Sequence, residues 1–138
     1  MNAPELFDAV NAAGMYRHYC VVFGRLPANA TRTEGFRNSA EGAFNWRGTS
    51  VVMTDFRQRV VFTVKPARIQ VYVGTRKLYT TAMPLSDVFP DPGMTVLPLP
   101  YIILPGQRVR VRLTNLERFV RVYFITFHGF LQREGSPA

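Results

Sequence analysis

Two histidines, one cysteine and nine carboxylates are the residues with which this 138-residue chain could do chemistry. Catalysis or metal binding needs such groups gathered at suitable spacing. His18 and His128 stand far apart in sequence, so a two-imidazole metal site exists only if folding joins them. His18 sits among aromatics in MYRHYCVVF and reads as a partly buried, hydrogen-bonded histidine. Cys20, in the apolar run Tyr19-Cys20-Val21-Val22, reads as a buried and inert thiol. As the single cysteine it has no disulfide partner within the chain. A nucleophilic thiol would want a base and oxyanion donors beside it, and the sequence points to neither. Asp87 and Asp91 are close in sequence but flank prolines, and Asp55 stands alone between Thr54 and Phe56, so no spacing suggests a general acid/base pair. There is no glycine-rich phosphate loop, HExxH, CxxC or GxSxG. A cupin-type metal barrel would want several histidines and a glutamate in two strand clusters. The expectation is a protein that is not an enzyme and carries no cofactor or metal.

The remaining chemistry is charge. Of the 17 basic residues 15 are arginine, and the net charge is +8. Guanidinium groups make planar, bidentate contacts with carboxylates and phosphates and are favoured at protein interfaces. The arginines are spread along the chain, largely one at a time. A basic surface facing an acidic protein fits that spread at least as well as a nucleic-acid groove. The densest grouping is Arg108, Arg110 and Arg112, alternating with Val109, Val111 and Leu113. Strict alternation puts the arginines on one face of a strand and the apolar residues on the other. Three readings of that ridge stand open: a solvated face, a protein interface, or a nucleic-acid face with tyrosines as stacking platforms.

The elements that must position these residues read as strands. Residues 101–131 pattern as two long strands joined by a tight turn at Thr114-Asn115-Leu116-Glu117, a hairpin in which Arg121 would join the arginine ridge. The second strand is apolar on both faces, which places it deep in a sheet. Further strands are expected over residues 15–23, 49–56, 57–64, 67–73 and 77–82, with a turn at Gly74-Thr75-Arg76. Residues 25–45 have loop composition. Residues 83–100 hold five prolines, which forbid a central strand, and read as a surface connection with Leu85, Val88 and Phe89 tucked beneath it. Residues 4–13 read as a short helix: Pro4 suits the first turn, Glu5 and Asp8 lie near its positive end, Leu6, Phe7 and Val10 form an apolar stripe, and Gly14 ends it.

These elements predict one all-β domain over residues 15–138, an antiparallel β-sandwich of jelly-roll type with eight or nine strands, preceded by an N-terminal helical arm over residues 1–14. No unbroken apolar stretch is long enough to span a membrane and no targeting segment is visible. The candidate partner-contacting residues are Leu6, Phe7 and Val10 of the arm, Arg25, Arg32, Arg37 and Phe89 of the irregular segments, and Arg108, Arg110, Arg112 and Arg121.

The run ILPGQRVRVRLTNLERFVRVYFITFHGF, with its PGQ turn, alternating strand, T-N turn and H-G end, is similar to the C-terminal half of small β-sandwich structural proteins of tailed bacteriophages. It resembles most the jelly-roll capsid cement, or decoration, proteins of short-tailed phages, and the resemblance is best over residues 95–132. It implies a non-enzymatic protein on the outer surface of the virion head. Such a protein bridges neighbouring major capsid subunits, stabilises the shell, and acts as a small homo-oligomer, often a dimer. No residue matches a functional motif of that family, so the resemblance assigns no site. A tail, neck or fibre-base component of the same kind of virus, and a carbohydrate- or nucleic-acid-binding sandwich, are the other functions the pattern allows.

Overall fold

The computed structural model describes residues 15–55, 57, 59–61, 67–89 and 94–133. The expected helix over residues 4–13, with Leu6, Phe7 and Val10, lies outside the described residues. So do Asp91 and the tail from residue 134.

The described chain is nearly all β. Its ten strands are β1 (Met15–Leu26), β2 (Thr31–Arg37), β3 (Gly42–Thr54), β4 (Val60–Val61), β5 (Ala67–Val73), β6 (Arg76–Lys77), β7 (Met83–Pro84), β8 (Met94–Ile103), β9 (Arg108–Asn115) and β10 (Arg121–Arg133). One helical turn, α1 (Leu85–Val88), precedes β8. The larger sheet runs β1-β10-β3, with β4 and β8 along the free side of β3. The smaller runs β2-β9-β5, with β6 and β7 along the free side of β5. Every pairing is antiparallel. No helix among the described residues is long and apolar enough to cross a membrane.

Period-two patterning explains the packing. In β9, Val109, Val111 and Leu113 are fully buried while Arg108 and Arg112 are exposed. In β5, Ile69, Val71 and Val73 point inward beside them. Phe23, Phe44, Trp46, Tyr123, Ile125 and Phe127 come from the larger sheet to meet them. Tyr19 and Phe36 stack with ring centroids 4.3 Å apart, and Phe36 also meets Phe127 at 5.1 Å, which ties β2 onto the larger sheet. Burying these aromatics is worth about 25 cal/mol per Å² of apolar surface. This interlayer core is what holds the two sheets and their outer faces in place.

The structure corrects several expectations. β9 and β10 do not form a hairpin. They lie in different sheets, and the chain turns a corner between them. Asn115, with no solvent exposure, holds that corner. Its amide donates to the carbonyls of Leu26 (3.0 Å) and Phe119 (2.8 Å), and its Oδ1 accepts from the Glu117 N–H (3.0 Å) and the Tyr123 hydroxyl (3.2 Å). The central position of β10, between β1 and β3, agrees with its apolar character on both faces.

Residues 25–45 are not a loop. They contain β2 and the start of β3, and β3 is one continuous 13-residue strand rather than a separate strand from residue 49. β2 reads as polar because it is an edge strand, paired only with β9. β8 carries Pro98 and Pro100 within the stretch expected to be a connection. The prolines are tolerated because β8 pairs only with β3, and its register breaks between the Gly48–Val96 and Trp46–Tyr101 pairs. Residues 97–100 therefore face a single β3 residue, and no ladder bond is asked of them. Leu85 and Phe89 are buried and Val88 packs against the core, as the sequence suggested, and their helical turn lies against β5 and β7. The strand expected over residues 77–82 shrinks to the two residues of β6. Of the strand expected over residues 57–64, only Val60–Val61 is described as one.

Candidate functional site

The outer face of the smaller sheet is the strongest concentration of charge among the described residues. The register lays it out in rows. Arg37 of β2 faces Arg108 of β9. Gly35, Arg110, Tyr72 and Lys77 cross four strands in the next row. Thr33, Arg112 and Gln70 follow, then Thr31, Thr114 and Arg68. Six cations thus share one face, and among the described residues of β2, β9, β5 and β6 its remaining outward positions are glycine, threonine, glutamine and tyrosine, with no carboxylate. The two ion pairs among the described residues, Arg59–Asp55 and Arg121–Glu117, lie elsewhere.

The direct Arg37–Arg108 pairing is destabilising on its own, since like charges opposite one another on a sheet repel. The face manages part of its charge internally. Arg37 donates to the Gly106 carbonyl at 2.9 Å. The Arg110 guanidinium lies over the Tyr72 ring, 5.0 Å from its centroid. Arg68, Lys77, Arg108 and Arg112 are exposed and have no ion pair among the described residues. Such a face can attract and orient an anionic surface, with guanidinium forks able to take carboxylates two bonds at a time.

Of the residues picked from sequence, Arg37, Arg108, Arg110 and Arg112 come together here. Arg121 does not join them. It lies in the other sheet, and its Nε donates to the Glu117 carboxylate at 2.8 Å with both side chains largely buried, 12% and 8% exposed. Arg25 sits exposed at the irregularity between Phe23 and Leu26, with a left-handed φ of 43°. Arg32 reaches back from β2 to donate to the Gly24 carbonyl. Phe89 is 4% exposed and belongs to the core, so it presents no side chain to a partner. Arg68 and Lys77 were missed, and Tyr72 was read only as one of several possible stacking platforms. The Arg68-Ile69-Gln70-Val71-Tyr72 alternation carried the signal, because it has the same period as 108–113 and places polar positions on one face of the neighbouring strand.

A second constellation lies on the outer face of the larger sheet. The fold makes His18 and His128 direct cross-strand partners, with ring centroids 6.4 Å apart. His128 Nε2 shares a hydrogen bond with Ser50 Oγ at 2.8 Å, and Nδ1 with the Tyr16 hydroxyl at 2.6 Å. Burial, and secondarily the neighbouring His18, hold the His128 imidazole below the ordinary histidine pKa. Ser50, His128 and Tyr16 thus stand in the order of nucleophile, base and orienter. Amides of a sheet point in its plane at neighbouring strands, however, and β3 is paired on both sides at Ser50. They offer no donors above the face for an oxyanion. Both His128 nitrogens already have hydroxyl partners, and the described residues hold no group of three or more His, Cys, Asp or Glu that could bind a metal. His18 is exposed rather than partly buried. Cys20, expected to be buried, is exposed on the same face. Both corrections have one cause: the strand alternates in and out, so Tyr19, Val21 and Phe23 turn inward while His18, Cys20 and Val22 face out. Beside this group, exposed Val22 and Val52 flank the partly exposed Phe124 in one cross-strand row.

Fold and face together define a two-sheet antiparallel β protein with one cationic side. No protein-family model matches the chain, and comparison with curated proteins finds no match.

Proposed function

We propose that this chain is a non-enzymatic structural protein that binds the outer surface of a tailed-phage capsid, bridging major capsid subunits and stabilising the head. The observation that carries the reading is the cationic face on the smaller sheet, which holds no carboxylate among the described residues. A rigid two-layer scaffold presents it with little ordering cost on binding, and its charge speeds docking on an acidic shell. The sequence resemblance of residues 95–132 to cement proteins favours a major capsid protein as the partner. Repetition over a symmetric shell then multiplies modest contacts through avidity.

The strand order supports a jelly-roll for the sandwich. β1 pairs with β10, β2 with β9, β3 with β8 and β5 with β6, as when one long antiparallel ribbon is wrapped into two sheets. The exposed Val22–Phe124–Val52 row is the surface we assign to self-association as a homodimer.

Gold-labelled antibody against the chain, applied to purified virions of the encoding phage, tests the reading. Label over the whole head surface supports it. Label confined to the tail or neck supports the neighbouring structural role, and virions without the chain refute both.

A further inference from the structure

On the cationic face, the chain between β6 and β7 swings away from the edge of β5 and walls a cleft of about 430 Å³. The wall is fixed from below. Gln70, 4% exposed, donates from Nε2 to the Tyr79 carbonyl at 2.8 Å, and its Oε1 accepts from the Tyr79 N–H at 3.2 Å. One side-chain amide thereby replaces the ladder bonds that the departing strand gives up. Arg68, Lys77 and Arg112 line the cleft with the hydroxyls of Thr80, Thr81 and Thr114. Among the described residues no carboxylate lines it, while Leu116 and Ala82 add an apolar margin.

We propose that this cleft binds a carboxylate-rich polypeptide segment of the partner. The proposal rests on the reading of the cationic face as a docking face and names the chemistry that face receives. Three cations around a small volume suit carboxylates arriving one or two at a time, each taken by a guanidinium fork and neighbouring hydroxyls. The apolar margin suits the aliphatic stems and neighbours of an acidic peptide. A single-stranded nucleic acid would want open aromatic faces for its bases. Tyr72, the one aromatic ring among the described residues that line the cleft, has Arg110 stacked over it.

The test is fluorescence anisotropy at low salt with the purified chain and two labelled probes, an oligoglutamate peptide and an oligothymidine of equal charge. Oligoglutamate binds more tightly, and the double variant Arg68→Gln/Arg112→Gln weakens it by about tenfold or more. The charge-matched control Arg25→Gln/Arg118→Gln, at two exposed arginines that do not line the cleft, weakens it far less. If the glutamine pair lowers the melting temperature, Thr81→Glu, at an exposed position of the wall, produces the same loss by repulsion. Absent peptide binding, tighter oligothymidine binding, or equal weakening by test and control pairs overturns the proposal. The two readings fail separately. Peptide binding by a chain that is absent from virions removes the capsid role and leaves the cleft, whereas virion binding unaffected by loss of Arg68 and Arg112 removes the cleft and leaves the capsid role.

Discussion

Replacing Asn115 with alanine attacks the corner that sends β9 and β10 into different sheets, and the structure sets its magnitude. Four hydrogen bonds are lost. The Phe119 carbonyl and the Glu117 N–H belong to the connecting segment, where Phe119 is 61% exposed, so water can take over part of their bonding. The Leu26 carbonyl and the Tyr123 hydroxyl belong to fully buried residues and are stranded. At roughly 1–2 kcal/mol for each stranded group, Asn115→Ala costs about 2–4 kcal/mol. Asn115→Asp keeps the acceptor, removes both donors and buries a charge. Its carboxyl is held above the ordinary range, so the deficit against wild type is smallest under acid conditions and grows as pH rises past the unfolded carboxyl's pKa of about 4. Urea unfolding followed by fluorescence of the single, buried Trp46 measures both. A loss below about 1 kcal/mol for Asn115→Ala, with an unchanged denaturant slope, would refute the assignment of the corner to this side chain.

Gly129 lies at the register break of β10, where an added Cβ would come within 2.0 Å of the Asn45 carbonyl oxygen; Gly129→Ala is expected to lose about 2 kcal/mol or more in a thermal melt. Arg121→Met strands the buried Glu117 carboxylate and costs about 3 kcal/mol, whereas Arg112→Gln, on the open face, stays within about 0.5 kcal/mol. Because burial and His18 lower the His128 pKa, the unfolded chain takes up a proton that the native one resists. Stability therefore falls as pH drops through about 6.5, and His128→Gln flattens that limb of a pH series of melts.

What the sequence revealed and what it hid divide along physical lines. The alternation at 108–113 identified which side of β9 is buried, because burial is a property of each strand's own period. It could not identify the partner strand, since period-two patterning is the same whether the next strand lies alongside or across the core. That is why a corner read as a hairpin and why Arg121 was placed on the wrong face. β2 escaped notice because a polar edge strand lacks the apolar run that marks a central one, and β8 because its prolines fall where the ladder is interrupted. The cationic face was half legible. Arg108, Arg110 and Arg112 stood out as a cluster in sequence, while Arg68 and Lys77 join them only through the β5–β9 and β5–β6 registers. The Ser50–His128–Tyr16 contact, assembled from three strands, left no trace in spacing.

The central claim is that the cationic face of the smaller sheet docks the chain on a phage head. Cosedimentation of the chain with heads stripped of it tests this directly, comparing wild type with Arg108→Gln/Arg110→Gln/Arg112→Gln over a range of salt. The account predicts that wild type rebinds, that binding weakens as salt rises, and that the triple variant, with an unchanged melting temperature, loses binding at physiological ionic strength. Equal rebinding by the triple variant, or rebinding by wild type that is indifferent to salt, would contradict it.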